Sequence, residues 1–294
     1  MYARRMRLAS GVVASLLVVV TSFAVATPQA TETQVHLLVQ SHLALTARMS
    51  GNDQLLLTKD ALVNVRGLDL SSDTDDFPIS DSVLHSLNRI TRKLGKLTTG
   101  ANDATGVGWF QWEYQAHITF ESAINSMPDV YDVKERVGGL AVRDGTTWKL
   151  AAVQYSDLKS DAALLADKQN RREALPAQAK LTGDATIAKT VAEWYATGFA
   201  SNAAGSPNIV VSGSSPGEYA KGAATAKLVK GWDKLKLVVD TLEARSYAGG
   251  KAAAVRGVVV WPSKKGKGGT LLHVLVVLVH DGTQWKWVSI QYGA

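Results

Sequence analysis

Apolar residues recur at three- and four-residue steps over Val35, Leu38, Val39, His42 and Leu45, which predicts a helix over Gln34–Met49 with Gly51 just past its end. Ile187, Val191, Trp194 and Tyr195 repeat the pattern, so a second helix is expected over Thr186–Ala200, with Asp184 as its cap. Short apolar runs after each helix, Leu55–Leu57 and Ile209–Val211, read as strands. Trp109–Phe120 and Ala252–Trp261 are longer strands rich in aromatic and β-branched residues. Leu271–Val279 is interrupted only by His273. A strand apolar on both faces must be covered on both. The helices of its own unit would cover one face, and a second sheet the other. That sheet belongs either to another part of this chain, as an intrachain pseudo-dimer, or to a second copy, as a homodimer.

The chain also repeats itself. Asp144-Gly145-Thr146-Thr147-Trp148-Lys149-Leu150-Ala151-Ala152-Val153-Gln154-Tyr155 returns 137 positions later as Asp281 to Tyr292, with seven of twelve residues identical. A period of that length is a whole domain rather than a solenoid repeat. The expected division is residues 27–156 as a first, divergent domain, 157–183 as a linker with one short helix at Ala162–Arg172, and 184–294 as a second domain. The first copy is about seventeen residues longer between its first strand and the shared tryptophan, and the stretch Asp69–Ala104 is the expected insertion. Asp69, Asp73, Asp75, Asp76 and Asp81 crowd it. A calcium loop from Asp73 would put Pro78 where glycine is needed and Leu84 where the last glutamate belongs, so a solvated acidic loop is expected instead.

Arg4, Arg5 and Arg7 precede an uncharged stretch from Leu8 to Ala26 that closes on Ala24-Val25-Ala26, the form of a signal peptide over residues 1–26. Cleavage before Thr27 would leave an exported protein, periplasmic or extracellular, with no stable membrane anchor. The net charge of +6 includes the three leader arginines, so the mature chain carries +3, which is not a nucleic-acid balance. With no cysteine, packing alone must hold the fold.

Asn208-Ile209-Val210-Val211-Ser212-Gly213-Ser214-Ser215-Pro216-Gly217-Glu218-Tyr219-Ala220-Lys221-Gly222, the long strands after it and the Asp281-Gly282 turn into Trp285-Lys286-Trp287 resemble the SnoaL-like branch of the NTF2-like superfamily. The resemblance covers roughly Asp184–Ala294 and reaches the first copy only through the repeated tail, because Thr58 to Gly67 lacks the Pro-x-Glu step. It implies an α+β chain of two cone-shaped NTF2-like domains, each a curved antiparallel sheet packed on N-terminal helices around an apolar pocket.

Strict alternation puts Trp285, Trp287, Ser289 and Gln291 on one face of the closing strand and Lys286, Val288, Ile290 and Tyr292 on the other. The first copy gives Trp148, Leu150, Ala152 and Gln154 against Lys149, Ala151, Val153 and Tyr155. Where look-alikes commonly have a pocket histidine, both copies have glutamine, which can bond a ligand but not act as a general base. Gln154 and Gln291 are therefore ligand contacts or satisfied buried amides. Trp148, Trp287 and Tyr219 are further ligand-contact candidates. Glu218 is either a contact or a helix-cap residue. Asp240 and His273 are the candidates for catalysis; His117 and Glu121, four apart on a strand, share a face and could support acid–base work, but two such residues do not make a site. His36, His42, His85 and His280 show no metal-ligand spacing, and neither a metal nor another cofactor is expected. Lys264 to Gly269 reads as a hairpin tip. Three functions stay open: non-catalytic binding of a small apolar molecule or a protein partner, a cyclase- or isomerase-type enzyme, and assembly through sheet faces.

Overall fold

A computed structural model describes residues 28–48, 55–65, 68–71, 87–120, 129–159, 163, 171–233 and 235–293. The first copy runs α1 (Pro28–Arg48), β1 (Leu57–Val65), β2 (Leu68–Ser71), β3 (Leu87–Asn102), β4 (Val107–Phe120), β5 (Asp129–Asp144) and β6 (Thr147–Asp157). After β7 (Arg171–Arg172) and β8 (Lys180–Gly183) the second copy runs α2 (Ala185–Thr197), β9 (Val210–Ser212), β10 (Tyr219–Lys221), α3 (Thr225–Asp233), β11 (Val238–Tyr247), β12 (Ala252–Pro262), β13 (Gly269–His280) and β14 (Trp285–Gly293).

The first sheet has the order β2-β1-β6-β5-β4-β3, and the second β10-β9-β14-β13-β12-β11-β8. Strand for strand, the first six positions match, so the repeat visible in the closing strands extends through the wiring of both halves. The chain is α+β. Each sheet is mixed rather than purely antiparallel, because the strand after the helix lies beside the closing strand and runs with it: β1 pairs β6, and β9 pairs β14, in parallel.

Two further expectations are corrected. Of the stretch expected as an acidic loop, Leu87–Asn102 is a sixteen-residue strand and Asp69 lies in β2, while Asp73, Asp75, Asp76 and Asp81 lie outside the described residues. The expected linker supplies strands to the second sheet: β7 pairs with β13, and β8 runs parallel to β11 as an edge strand. Its expected helix lies mostly outside the described residues, and Arg171–Arg172 at its end is extended.

In each copy the helix covers one face of the sheet. Val35, Leu38, Val39 and Leu43 of α1 share a buried core with Phe110, Trp112, Val137, Leu150 and Val153. Asp184 caps α2 by accepting the Ile187 N–H, and Ile187, Ala188, Val191 and Trp194 form its buried stripe. The opposite faces of the two sheets meet each other. Leu62, Trp109, Leu140, Val142 and Ala152 of the first sheet join the core of the second copy.

This contact carries polar links as well as apolar area. Gln291 donates to the Gln154 carbonyl at 3.1 Å, and Gln154 to the Gln291 carbonyl at 3.3 Å. Gln111 reaches the Ile290 carbonyl and the Ser289 hydroxyl, both at 2.9 Å, and Trp109 donates to the Asn208 carbonyl. Arg136, wholly buried, pairs with Glu113 and donates to the Gly213 carbonyl at 2.5 Å. Close approach requires a missing side chain at Gly138, where a Cβ would lie 2.1 Å from the Gln291 Oε1.

The closing strands correct the expected faces. The register shifts by one residue between Ser289 and Trp287, and between Ala152 and Leu150, leaving Val288 and Ala151 as bulge residues. Trp287 and Leu150 therefore face the helix side, with Ile290, Tyr292, Val153 and Tyr155. Ser289, Gln291, Ala152 and Gln154 face the other sheet.

Candidate functional site

The buried layer between α1 and the first sheet gathers most of that copy's buried chemistry. His42 comes from the α1 stripe, because a step of three from Val39 puts it on the face toward the sheet. Tyr155 comes from β6, Tyr114 from β4, Glu135 from β5 and Arg92 from β3. Tyr114 and Glu135 are register partners, as are Glu135 and Asp157.

The Tyr155 hydroxyl and the His42 Nε2 are 2.7 Å apart. Burial, reinforced by the Arg92 charge, lowers the His42 pKa from 6.5 to about 4, so the imidazole is neutral at neutral pH. The Arg92 guanidinium lies 5.4 Å from the centre of the Tyr114 ring and donates to the Leu43 carbonyl at 2.7 Å. Burial and the neighbouring Glu135 carboxylate raise the Tyr114 phenol well above its ordinary range, so it stays protonated. His42 Nδ1 and Arg92 Nε are buried and find no hydrogen-bond partner among the described residues. Such groups cost about 1–3 kcal/mol each unless a bound molecule or water meets them. The cluster offers hydrogen-bond donors and acceptors of several kinds within an apolar shell.

The second copy repeats the architecture with different chemistry. Tyr292 of β14 and Tyr195 of α2 take the places of Tyr155 and His42, and the Tyr292 hydroxyl donates to the Tyr195 oxygen at 2.8 Å. Trp232 of α3 stands edge-on to Tyr292 at 4.5 Å, and Tyr195 edge-on to Phe199 at 4.8 Å. Burial raises both phenols. This helix side is packed by its own aromatic rings.

The residues singled out from the sequence do not converge on one place. Gln154 and Gln291 sit in the contact between the sheets, where Gln291 also donates to the Arg136 carbonyl and the Ser156 hydroxyl. Their amides serve the sheet contact. Trp287 is fully buried and donates to the Phe199 carbonyl at 2.7 Å. Trp148 donates to Gln34 at 2.8 Å near the surface, with Arg143 over its ring. Glu218 accepts the Ser215 N–H at 3.2 Å and closes the turn from Gly213 into β10, so the expected helix cap is corrected: no helix starts at this turn. Tyr219 bonds Thr98 of the first copy through its hydroxyl.

Asp240 is ion-paired with Arg172 at 2.8 Å. His273 lies on the sheet-contact face of β13, its pKa lowered by burial, and lines a cleft between the copies. Asp240 is absent from the lining of that cleft. His117 pairs with exposed Asp132, and Glu121 lies outside the described residues. Among the described residues no group of three or more histidines and acids is placed to hold a metal.

Sequence reasoning placed His42 in the α1 stripe but weighed its chemistry only against metal spacing. The available signal was a lone histidine within an apolar helical stripe, in the copy whose closing strand carries Tyr155.

No protein-family profile matches the chain, and no curated protein matches it either. Solved structures do. An NTF2-like family protein from Streptomyces avermitilis is 11% identical over 45% of this chain and 100% of that one, with a TM-score of 0.40. An NTF2-like superfamily protein from Salmonella enterica is 7% identical over 46% and 96%, with a TM-score of 0.40. A ketosteroid isomerase-like protein from Erwinia carotovora is 10% identical over 44% and 97%, with a TM-score of 0.36. Each of these structures is similar to slightly less than half of the chain.

Proposed function

We propose that this is an exported two-copy binding protein. In this reading the first copy takes a small, mainly apolar molecule with one hydrogen-bonding group between α1 and its sheet, and the second copy is a support. The observation that carries it is the orphaned Nδ1 of His42, in a pocket whose counterpart is closed by Tyr195, Tyr292 and Trp232. Export is supported by the basic start, the uncharged stretch to Ala26 and the Ala24-Val25-Ala26 end. Assembly through a bare sheet face is disfavoured, because the two sheets cover each other and Leu37, Leu55 and Leu94 are the exposed large apolar residues among those described.

Native mass spectrometry of the protein from its own exported fraction tests this reading. The expected result is the mass of Thr27–Ala294 with a reproducible small adduct that is lost in His42→Phe and kept in Tyr195→Phe. An adduct indifferent to His42→Phe would overturn it.

A second reading is acid–base catalysis of the cyclase or isomerase kind, favoured by the neutral imidazole hydrogen-bonded to Tyr155 beside a Tyr114 phenol held protonated as a donor. It requires that a substrate identified from the adduct be turned over, and that His42→Phe lower turnover by about 100-fold or more.

A further inference from the structure

The reciprocal bonds between Gln154 and Gln291 mark a pseudo-two-fold axis through the sheet contact. Strand register then fixes which residues correspond. Gly138 pairs with Gln154, and Leu275 with Gln291. One strand further out stand Gln111 and Arg256, and beyond them Thr98 and Glu243. Two residues along from Gly138 and Leu275 are Arg136 and His273. On the far side of the closing strands, Asn64 corresponds to Ser212, and the edge-strand positions are Asp69 and Tyr219.

The two halves of the contact are filled differently. In one, the Tyr219 ring inserts between the copies, 4.8 Å from the Lys96 ammonium and 5.6 Å from the Arg136 guanidinium, with its hydroxyl bonded to Thr98. In the other, Asp69 holds the edge-strand position, and Asn64, Thr241, Glu243, Arg256, Val258 and His273 line a half-open cleft of about 280 Å³. We propose that this cleft binds a small monocyclic phenol, seated as Tyr219 is seated in the related half.

Size and chemistry agree. An apolar cavity of about 150 Å³ is enough for benzene, so about 280 Å³ holds one substituted ring. Val258 supplies the apolar side of the wall, beside the bare backbone of Gly257. Burial works against the Glu243 carboxylate, yet Arg256 and Arg245 hold it below its usual range. Both its oxygens are committed to these arginines, Oε2 to Arg256 at 2.6 Å and Oε1 to Arg245 at 3.0 Å, so the wall is polar without a free anion there. His273 makes no hydrogen bond or ion pair among the described residues, and its imidazole can bond a phenolic hydroxyl. The site is separate from the helix-side pocket and does not depend on what that pocket binds.

The test is titration calorimetry of the full mature chain with p-cresol and with toluene. Saturable millimolar or tighter binding of p-cresol is expected, about 10-fold weaker for toluene, which lacks the hydroxyl. Val258→Trp fills the cleft and should abolish binding. Thr241→Tyr, which introduces an internal ring from the cleft wall, should do the same and serves if the first variant does not fold. His42→Phe should leave the affinity unchanged. Absence of saturable binding, equal affinity for both probes, or binding that survives either cleft-filling variant in folded protein would overturn the proposal. Loss of binding in His42→Phe alone would also overturn it, and would assign the phenol to the helix-side pocket.

Discussion

Acidification tests the burial of His42 most directly. Its folded pKa lies below the value of 6.5 that the unfolded chain restores, at about 4. The unfolded chain therefore binds the proton first. The contribution of the neutral imidazole is complete above about pH 6.5 and is lost as the pH falls through the window from 6.5 to about 4. At about 1.4 kcal/mol per pH unit, the loss reaches about 3 kcal/mol near pH 4. That is a large share of the roughly 5–15 kcal/mol that holds an ordinary domain.

The assay is urea unfolding followed by tryptophan fluorescence across this window, in the native chain and in His42→Phe. Carboxylates elsewhere titrate in both proteins, so the difference between the two curves isolates His42. At neutral pH the variant should be about 1 kcal/mol less stable, since Tyr155 loses its partner. The gap should close and then reverse as the pH falls toward 4. Curves that stay parallel would show that His42 is solvated or paired in the folded state, and would refute the argument from burial.

Gly138→Ala pushes a methyl group against the Gln291 amide at the centre of the sheet contact, and should cost about 1–3 kcal/mol by its urea midpoint, with part of the loss recovered in Gly138→Ala with Gln291→Ala. Tyr195→Phe strands the Tyr292 hydroxyl and should cost about 1–3 kcal/mol in thermal unfolding, without changing the retained adduct seen by native mass spectrometry. Asp240→Ala breaks a partly exposed ion pair with Arg172; calorimetric unfolding should place its cost within about 1 kcal/mol, and adduct retention should be unchanged.

What could be read from the sequence followed from periodicity, and what escaped it was geometry without a residue signature. The helical stripes from Val35 and Ile187 and the strands around Trp109 and Leu271 are where their patterns put them, because burial on one or both faces dictates the apolar spacing. The faces of the closing strands were misread. Ala151 and Val288 are ordinary strand residues, and nothing in them announces the bulge that carries Trp287 and Leu150 to the helix side. β7 and β8 were hidden for another reason: Arg171–Arg172 and Lys180–Gly183 lie at the end and edge of a sheet, where pairing is by backbone and no apolar alternation is needed. The polar pocket was missed because the family resemblance lies in the second copy, whereas the histidine lies in the first.

Alternation past the bulges also lets one strand serve two purposes. Beyond Ala151, alternate residues of β6 point to opposite sides, so Gln154 is fixed by the second sheet while its neighbour Tyr155 reaches His42. The same holds for Gln291 and Tyr292. The sheet contact thereby holds the floor of each helix-side layer in place. Once two copies share that support, a pocket is free to keep orphaned polar atoms at a cost of about 1–3 kcal/mol each, or to close on aromatic rings instead. The first copy retains the polar option at His42 and Arg92, and the second has taken the aromatic one at Tyr195, Tyr292 and Trp232. The copies share the Gln154–Gln291 pair at the centre of their contact and part company on the helix side, where Tyr155 meets His42 in one and Tyr292 meets Tyr195 in the other.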